Sequence, residues 1–191
     1  MFWMDKSKVQ AGEIPTPEGL APDVIISPDT RRAGRIPPGQ SRTRKWPVLD
    51  ASGPPSIDLA SWRLRVSVTR WSRLGNVWEG VSTRELVRQA GGVLPAAALV
   101  MAYGYDRGWT TNLPLDGFLR EDALVAFHHD GEPITAEHGG PARLIVPQLY
   151  AWKSAKWLAG IEIMDRDRAG FWEKNGYHMH GDPWKEERYG L

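Results

Sequence analysis

The stretch HGGPARLIVPQLYAWKSAKWLAGIEIM, residues 138–164, carries the main reading of the fold. Gly139-Gly140-Pro141 makes a tight turn poor in side chains. Ala142 to Val146 follows as a short strand, and Pro147 ends it. A loop or short helical turn then leads into a second strand over Trp157 to Met164.

Working outward, the same strand-and-turn grammar recurs. Ala123 to His128 reads as a strand running into an Asp130-Gly131 turn, and Ala98 to Tyr103 reads as another. Trp62, Leu64, Val66 and Val68 alternate with Arg63, Arg65, Ser67 and Thr69, the period-2 pattern of a half-buried strand. Helices are few. Ser82 to Gln89 is the clearest, with Ser82 and Glu85 as a capping box and Gly91-Gly92 ending it. Ala169 to Asn175 is a short helix stopped by Gly176. Residues 1–43 form an irregular arm interrupted by Pro15, Pro17, Pro22, Pro28, Pro37 and Pro38, and residues 44–191 form the domain. Many strands with few helices indicate an α+β, mostly-β domain.

Composition removes several function classes. The 191 residues hold 24 Lys plus Arg against 23 Asp plus Glu, so no global field selects nucleic acid or an anionic membrane. There is no cysteine, which excludes disulfide scaffolds, Cys-ligated zinc or iron–sulfur sites and thiol nucleophiles. No apolar run approaches the roughly 20 residues of a membrane span, and Met1 to Gln10 has no signal-peptide core. A cytoplasmic protein is the expectation.

His138-Gly-Gly-Pro-Ala-Arg143, with Lys153-Ser-Ala-Lys156 after the strand, is the densest candidate site. Arg143 forks onto a phosphate, Lys153 and Lys156 add ammonium charges, and the glycines let a ligand approach backbone amides. Such a set suits a phosphorylated, heteroatom-rich cofactor. A glycine turn with ordinary solvated charges is the other reading of the same residues. Trp109-Thr-Thr-Asn112 lines a pocket entrance or closes a polar turn onto Pro114. Arg70-Trp-Ser-Arg73 is basic and aromatic, with Arg70 a surface charge or an anion contact; base stacking is disfavoured by the balanced charge. His128 and His129 are adjacent and face opposite sides of a strand, so no zinc site is assigned. No Gly-x-Ser-x-Gly elbow is present, and no Ser–His–Asp triad follows.

An ordered series of segments resembles the sulfite oxidase-like, molybdopterin-binding oxidoreductases, in their small stand-alone bacterial branch. The series runs Arg44-Lys-Trp-Pro-Val-Leu49, Val68-Thr-Arg-Trp-Ser72, Trp78-Glu-Gly-Val-Ser82 and Thr110-Thr-Asn-Leu-Pro-Leu115. It continues through Asp130-Gly-Glu-Pro133, residues 138–147, Tyr150 to Lys156, Phe171 to Tyr177 and Gly181-Asp-Pro-Trp184. The resemblance implies a mostly-β mixed-sheet domain of the sulfite oxidase type, shortened, that holds molybdenum–molybdopterin. It places the phosphate end on Arg143, with His138 and the Ser154-Ala155-Lys156 loop beside it and Trp46 and Pro47 laid against the pterin. It implies two-electron oxygen-atom transfer on a small oxo-substrate, with Ser67, Arg70 and Thr111 at the catalytic positions and electrons leaving to a separate partner.

Two departures stand out. Relatives carry a metal-ligating cysteine immediately before the Val-Thr-Arg-Trp-Ser stretch, and here Ser67 holds that place, a harder and poorer donor. Relatives also carry a strand, turn and helix between the Leu-Arg-Val and Val-Thr-Arg-Trp segments, whereas Leu64-Arg-Val66 here runs almost directly into Val68. A non-catalytic descendant, acting as a pterin- or partner-binding module, is the alternative these departures raise.

Overall fold

The computed structural model describes residues 36–40, 77–106 and 108–190. The alternating segment from Trp62, together with Trp46, Pro47, Ser67 and Arg70, lies outside the described residues.

The described residues form two antiparallel sheets. Strand β1 (Trp78–Ser82) leads into helix α1 (Thr83–Gln89), followed by β2 (Leu99–Gly104), β3 (Thr110–Pro114) and the single turn of helix α2 (Leu115–Phe118). Then come β4 (Leu124–His129), β5 (Glu132–Pro133), β6 (Arg143–Ile145), β7 (Leu158–Met164) and the short helix α3 (Phe171–Lys174). In the first sheet β4 is central: it pairs with β1 and with both β5 and β6. In the second, β2 lies between β3 and β7. This is the mostly-β α+β architecture that the strand and turn signals predict.

The position of β4 explains its sequence. Val125 faces one core, with Val100, Leu113, Phe118 and Leu144, while Leu124 and Ala126 face another, with Trp78, Ile134 and Ile145. A strand buried on both faces needs an unbroken apolar run, and Leu124-Val-Ala-Phe127 supplies one. At its end Asp130 and Gly131 both adopt positive φ, the conformation that turns β4 back into β5.

Three local readings are corrected. The capping box at Ser82 does not form: its side chain makes no cap hydrogen bond, and Glu85 is drawn instead to Arg88 and Gln89. Thr110–Pro114 is a strand, not a closing turn; Pro114 sits at the strand end opposite Leu99. Trp78–Ser82, named from the sequence only as one of the ordered motifs, is also a strand, with a bulge between Glu79 and Gly80. Among the described residues, no helix is long and apolar enough to cross a membrane.

Candidate functional site

Arg143 opens β6, opposite Ala126 of β4, and its side chain is drawn into the protein, leaving the residue 7% exposed. One terminal nitrogen donates to the His138 carbonyl at 2.8 Å, and the other donates to the Ser154 carbonyl at 3.4 Å. The guanidinium carbon lies 5.5 Å from the Trp78 ring centroid. Its Nε is buried with no hydrogen-bond partner among the described residues, and no described carboxylate forms an ion pair with it. Burial pushes the Arg143 pKa down to about 10. Among the described residues this guanidinium is bound to carbonyls alone and keeps a donor to spare, an arrangement chemically suited to an anion.

The surroundings add to that field. His138 ends a 3-10 turn, Ala136–His138. Burial, then the neighbouring Lys156 and Arg143 charges, hold its ring below the usual imidazole pKa. Lys156 donates to the Glu137 carbonyl at 2.8 Å and lies 5.2 Å from the Trp157 ring centroid. His129, packed on Trp78 with centroids 4.4 Å apart, is also held below its ordinary value. Burial is the main cause, with Arg143 and His138 adding to it and Asp130 opposing.

Two loops meet behind Arg143, and their junction is tight. Trp157 takes a φ of 46°, costly for a bulky residue, while its backbone N–H donates to Gly139 at 3.0 Å and its indole to Ala136 at 2.7 Å. A Cβ on Gly140 would fall 1.9 Å from the Ile134 carbonyl oxygen, and one on Gly139 would fall 2.8 Å from the Lys156 side chain. The glycine amides are occupied as well: Gly139 donates to Ala136 and Gly140 to Thr135. The expectation that these glycines expose amides to a ligand is therefore corrected. They let the turn pack.

Lys153 is corrected in the same way. It is fully buried, and its ammonium is spent inside the protein, on Glu173 Oε1 at 2.7 Å and on the carbonyls of Asn112 and Met179. Thr111, also fully buried, donates to the same Glu173 oxygen at 3.1 Å, so it belongs to this second cluster. Of the candidate site residues, His138, Arg143, Ser154, Ala155 and Lys156 are brought together on the two loops. Trp78, His129 and Glu173 are added by the structure. Trp78 and Glu173 were visible only as members of ordered motifs, and His129 only as half of an adjacent pair.

Among the described residues no group of three or more His, Asp or Glu side chains is arranged to hold a metal ion. A cavity of about 340 Å³ between α1 and β7 is lined by apolar residues including Leu86, Val87, Phe118, Ile161 and Ile163, and holds none of the candidate site residues.

Comparison with known proteins gives these residues a lineage. The family model described as "Oxidoreductase molybdopterin binding domain" matches residues 57–172. The uncharacterized oxidoreductase YuiH of Bacillus subtilis is 43% identical over 187 residues, covering 83% of this chain and 93% of that protein. The mitochondrial sulfite oxidase of Drosophila melanogaster is 30% identical over 112 residues, covering 54% of this chain but only 20% of that one. Among solved structures, the sulfane dehydrogenase SoxCD from Paracoccus pantotrophus aligns at a TM-score of 0.45 with 29% identity, over 49% of this chain and 25% of that one. With a family model spanning more than half its length, this chain belongs to the molybdopterin-binding oxidoreductase family, in its sulfite oxidase-like form.

Proposed function

We propose that this protein is a molybdopterin-dependent oxidoreductase of the oxygen-atom-transfer type, with the phosphate end of the pterin seated on Arg143. The observation that supports this reading is the Arg143 guanidinium, buried without a carboxylate partner among the described residues and with Nε unused. A phosphate supplies both the missing counter-charge and the missing acceptor. Lys156 adds a cation beside it, His138 brings an imidazole that burial holds below its ordinary pKa, and the Ser154-Ala155 backbone borders the other flank. These residues fit the phosphate end of the group.

When bound, molybdenum–molybdopterin supplies two-electron oxygen-atom chemistry on a small oxo-substrate, with electrons passing to a separate partner. The chain's own contribution would be to bind and orient the phosphate on a buried guanidinium that packs against Trp78. The metal end does not fit equally well. The sequence has no cysteine to offer a thiolate, and Ser67 lies outside the described residues. That absence favours a second reading, in which the chain is a non-catalytic descendant that keeps the pterin site as a binding module.

One preparation separates the readings. The protein is purified from a host able to make the cofactor, and pterin and molybdenum are quantified before and after Arg143→Ala. Pterin retained by wild type and lost from the variant supports the site, and its absence from wild type overturns it. Substrate-dependent reduction of bound molybdenum selects the enzyme, and bound pterin without turnover selects the binding module.

A further inference from the structure

We propose that Lys153 and Glu173 are a positioning pair for the Arg143 anion site, fixing from behind the loop that aims the guanidinium. The inference rests on the assignment of Arg143 as the phosphate ligand.

Lys153 and Glu173 have fully buried side chains and meet at 2.7 Å. The ammonium also donates to the Asn112 carbonyl and its side-chain oxygen, both at 3.0 Å, and to the Met179 carbonyl at 2.6 Å. One nitrogen thus joins β3, α3 and the C-terminal segment to the turn that ends at Lys153. The next residue, Ser154, is one of the two whose carbonyls hold Arg143, and its hydroxyl accepts from the Val146 N–H at 3.0 Å. Moving the Lys153 backbone moves the Ser154 carbonyl, and with it one side of the guanidinium.

Stability alone is a poor reason to keep such a pair. Replacing a buried ion pair by apolar residues of similar volume is often neutral or stabilising, because desolvation offsets the attraction. The Glu173 carboxylate also leaves Oε2 without a hydrogen-bond partner among the described residues. What the pair offers over an apolar plug is direction: several acceptors on separate segments fix one ammonium in one place.

The test titrates inorganic phosphate into the cofactor-free full-length protein by calorimetry and records thermal midpoints of the same samples. The variants are Arg143→Ala, the double apolar replacement Lys153→Met with Glu173→Leu, and Glu173→Gln. The double variant is expected to fold with a lowered midpoint, since the Asn112 and Met179 acceptors lose their donor. It is expected to bind phosphate about tenfold more weakly, the lower end of what a lost supporting residue costs a bound ion. Glu173→Gln, which keeps an acceptor but not the charge, is expected to lose about threefold and decides the matter if the double variant does not fold. Arg143-dependent phosphate binding that is unchanged in the folded pair variants overturns the positioning role alone. Wild type showing no Arg143-dependent binding overturns the phosphate assignment and the positioning role together.

Discussion

Arg143 and Trp157 are joined through one backbone turn: Arg143 donates to the His138 carbonyl at 2.8 Å, and Trp157 donates to the carbonyl of the adjoining Gly139 at 3.0 Å. The residue proposed to receive the phosphate and the residue that fixes the second loop therefore bind consecutive carbonyls. Changes at either loop are transmitted to the guanidinium.

Arg143→Ala removes a charge-assisted contact from a desolvated site and is expected to cost phosphate binding about 1.5–3 kcal/mol, roughly one to two decades in affinity. Arg143→Lys keeps the charge but not the planar fork, so it recovers only part of the loss. Calorimetry with inorganic phosphate reads both, and equal affinity for wild type and the alanine variant would exclude the contact.

Gly140→Ala and Gly131→Ala separate a clash from a backbone cost. At Gly140 the new methyl meets the Ile134 carbonyl oxygen at 1.9 Å, whereas at Gly131, with φ of 80°, it meets nothing within 4 Å. Gly140→Ala is expected to destabilise by about 3 kcal/mol or more, as overpacking against backbone does. Gly131→Ala is expected to cost about 1 kcal/mol, through the positive φ alone. Urea midpoints of the two variants give the comparison.

Acid is expected to weaken the fold through two histidines. Burial holds both His138 and His129 below the ordinary value of 6.5, so between those folded values and 6.5 the unfolded chain binds more protons than the folded one. Their contribution to stability is therefore lost as pH falls through that window, and the loss is complete below the folded values. Urea unfolding between pH 7 and pH 5 should show a shallower pH slope in His138→Gln and His129→Gln than in wild type. Parallel slopes would remove the histidines from the account.

Core and surface apolar positions should respond very differently. Phe118 is fully buried in the core between the sheets, while Leu94 is 79% exposed. Phe118→Ala is expected to cost about 3–5 kcal/mol and Leu94→Ala no more than about 0.5 kcal/mol in chemical denaturation.

Legibility in the sequence followed the range of the forces involved. The β4 strand and the second strand of the quoted stretch were readable because apolar runs between turn residues are local signals. Observed β7 begins at Leu158, one residue later than expected, because Trp157 is spent on the loop junction. The β3 strand escaped because its middle is Thr111 and Asn112, polar residues that look like a turn. They are buried in the structure because Glu173 and Lys153 satisfy them from far along the chain. Lys153 misled for the same reason. Beside Ser154 it resembles a solvated cation, and only the return of α3 twenty residues later supplies the carboxylate that buries it. The grouping of His138, Arg143 and Lys156 was legible from motif order, since Arg143 opens the short strand β6 and the other two lie on the loops at either end of it.

If Arg143 seats the proposed phosphate, its lack of a carboxylate partner among the described residues also ties the molecule's lifetime to its cargo. A protein that meets its ligand only when folded gains stability with occupancy, about 2.7 kcal/mol at a hundredfold excess over the dissociation constant. Loaded molecules then open more rarely than bare ones. On the proposed reading, a protease that samples transient openings would become an inspector of loading, clearing chains without the pterin and sparing those that hold it.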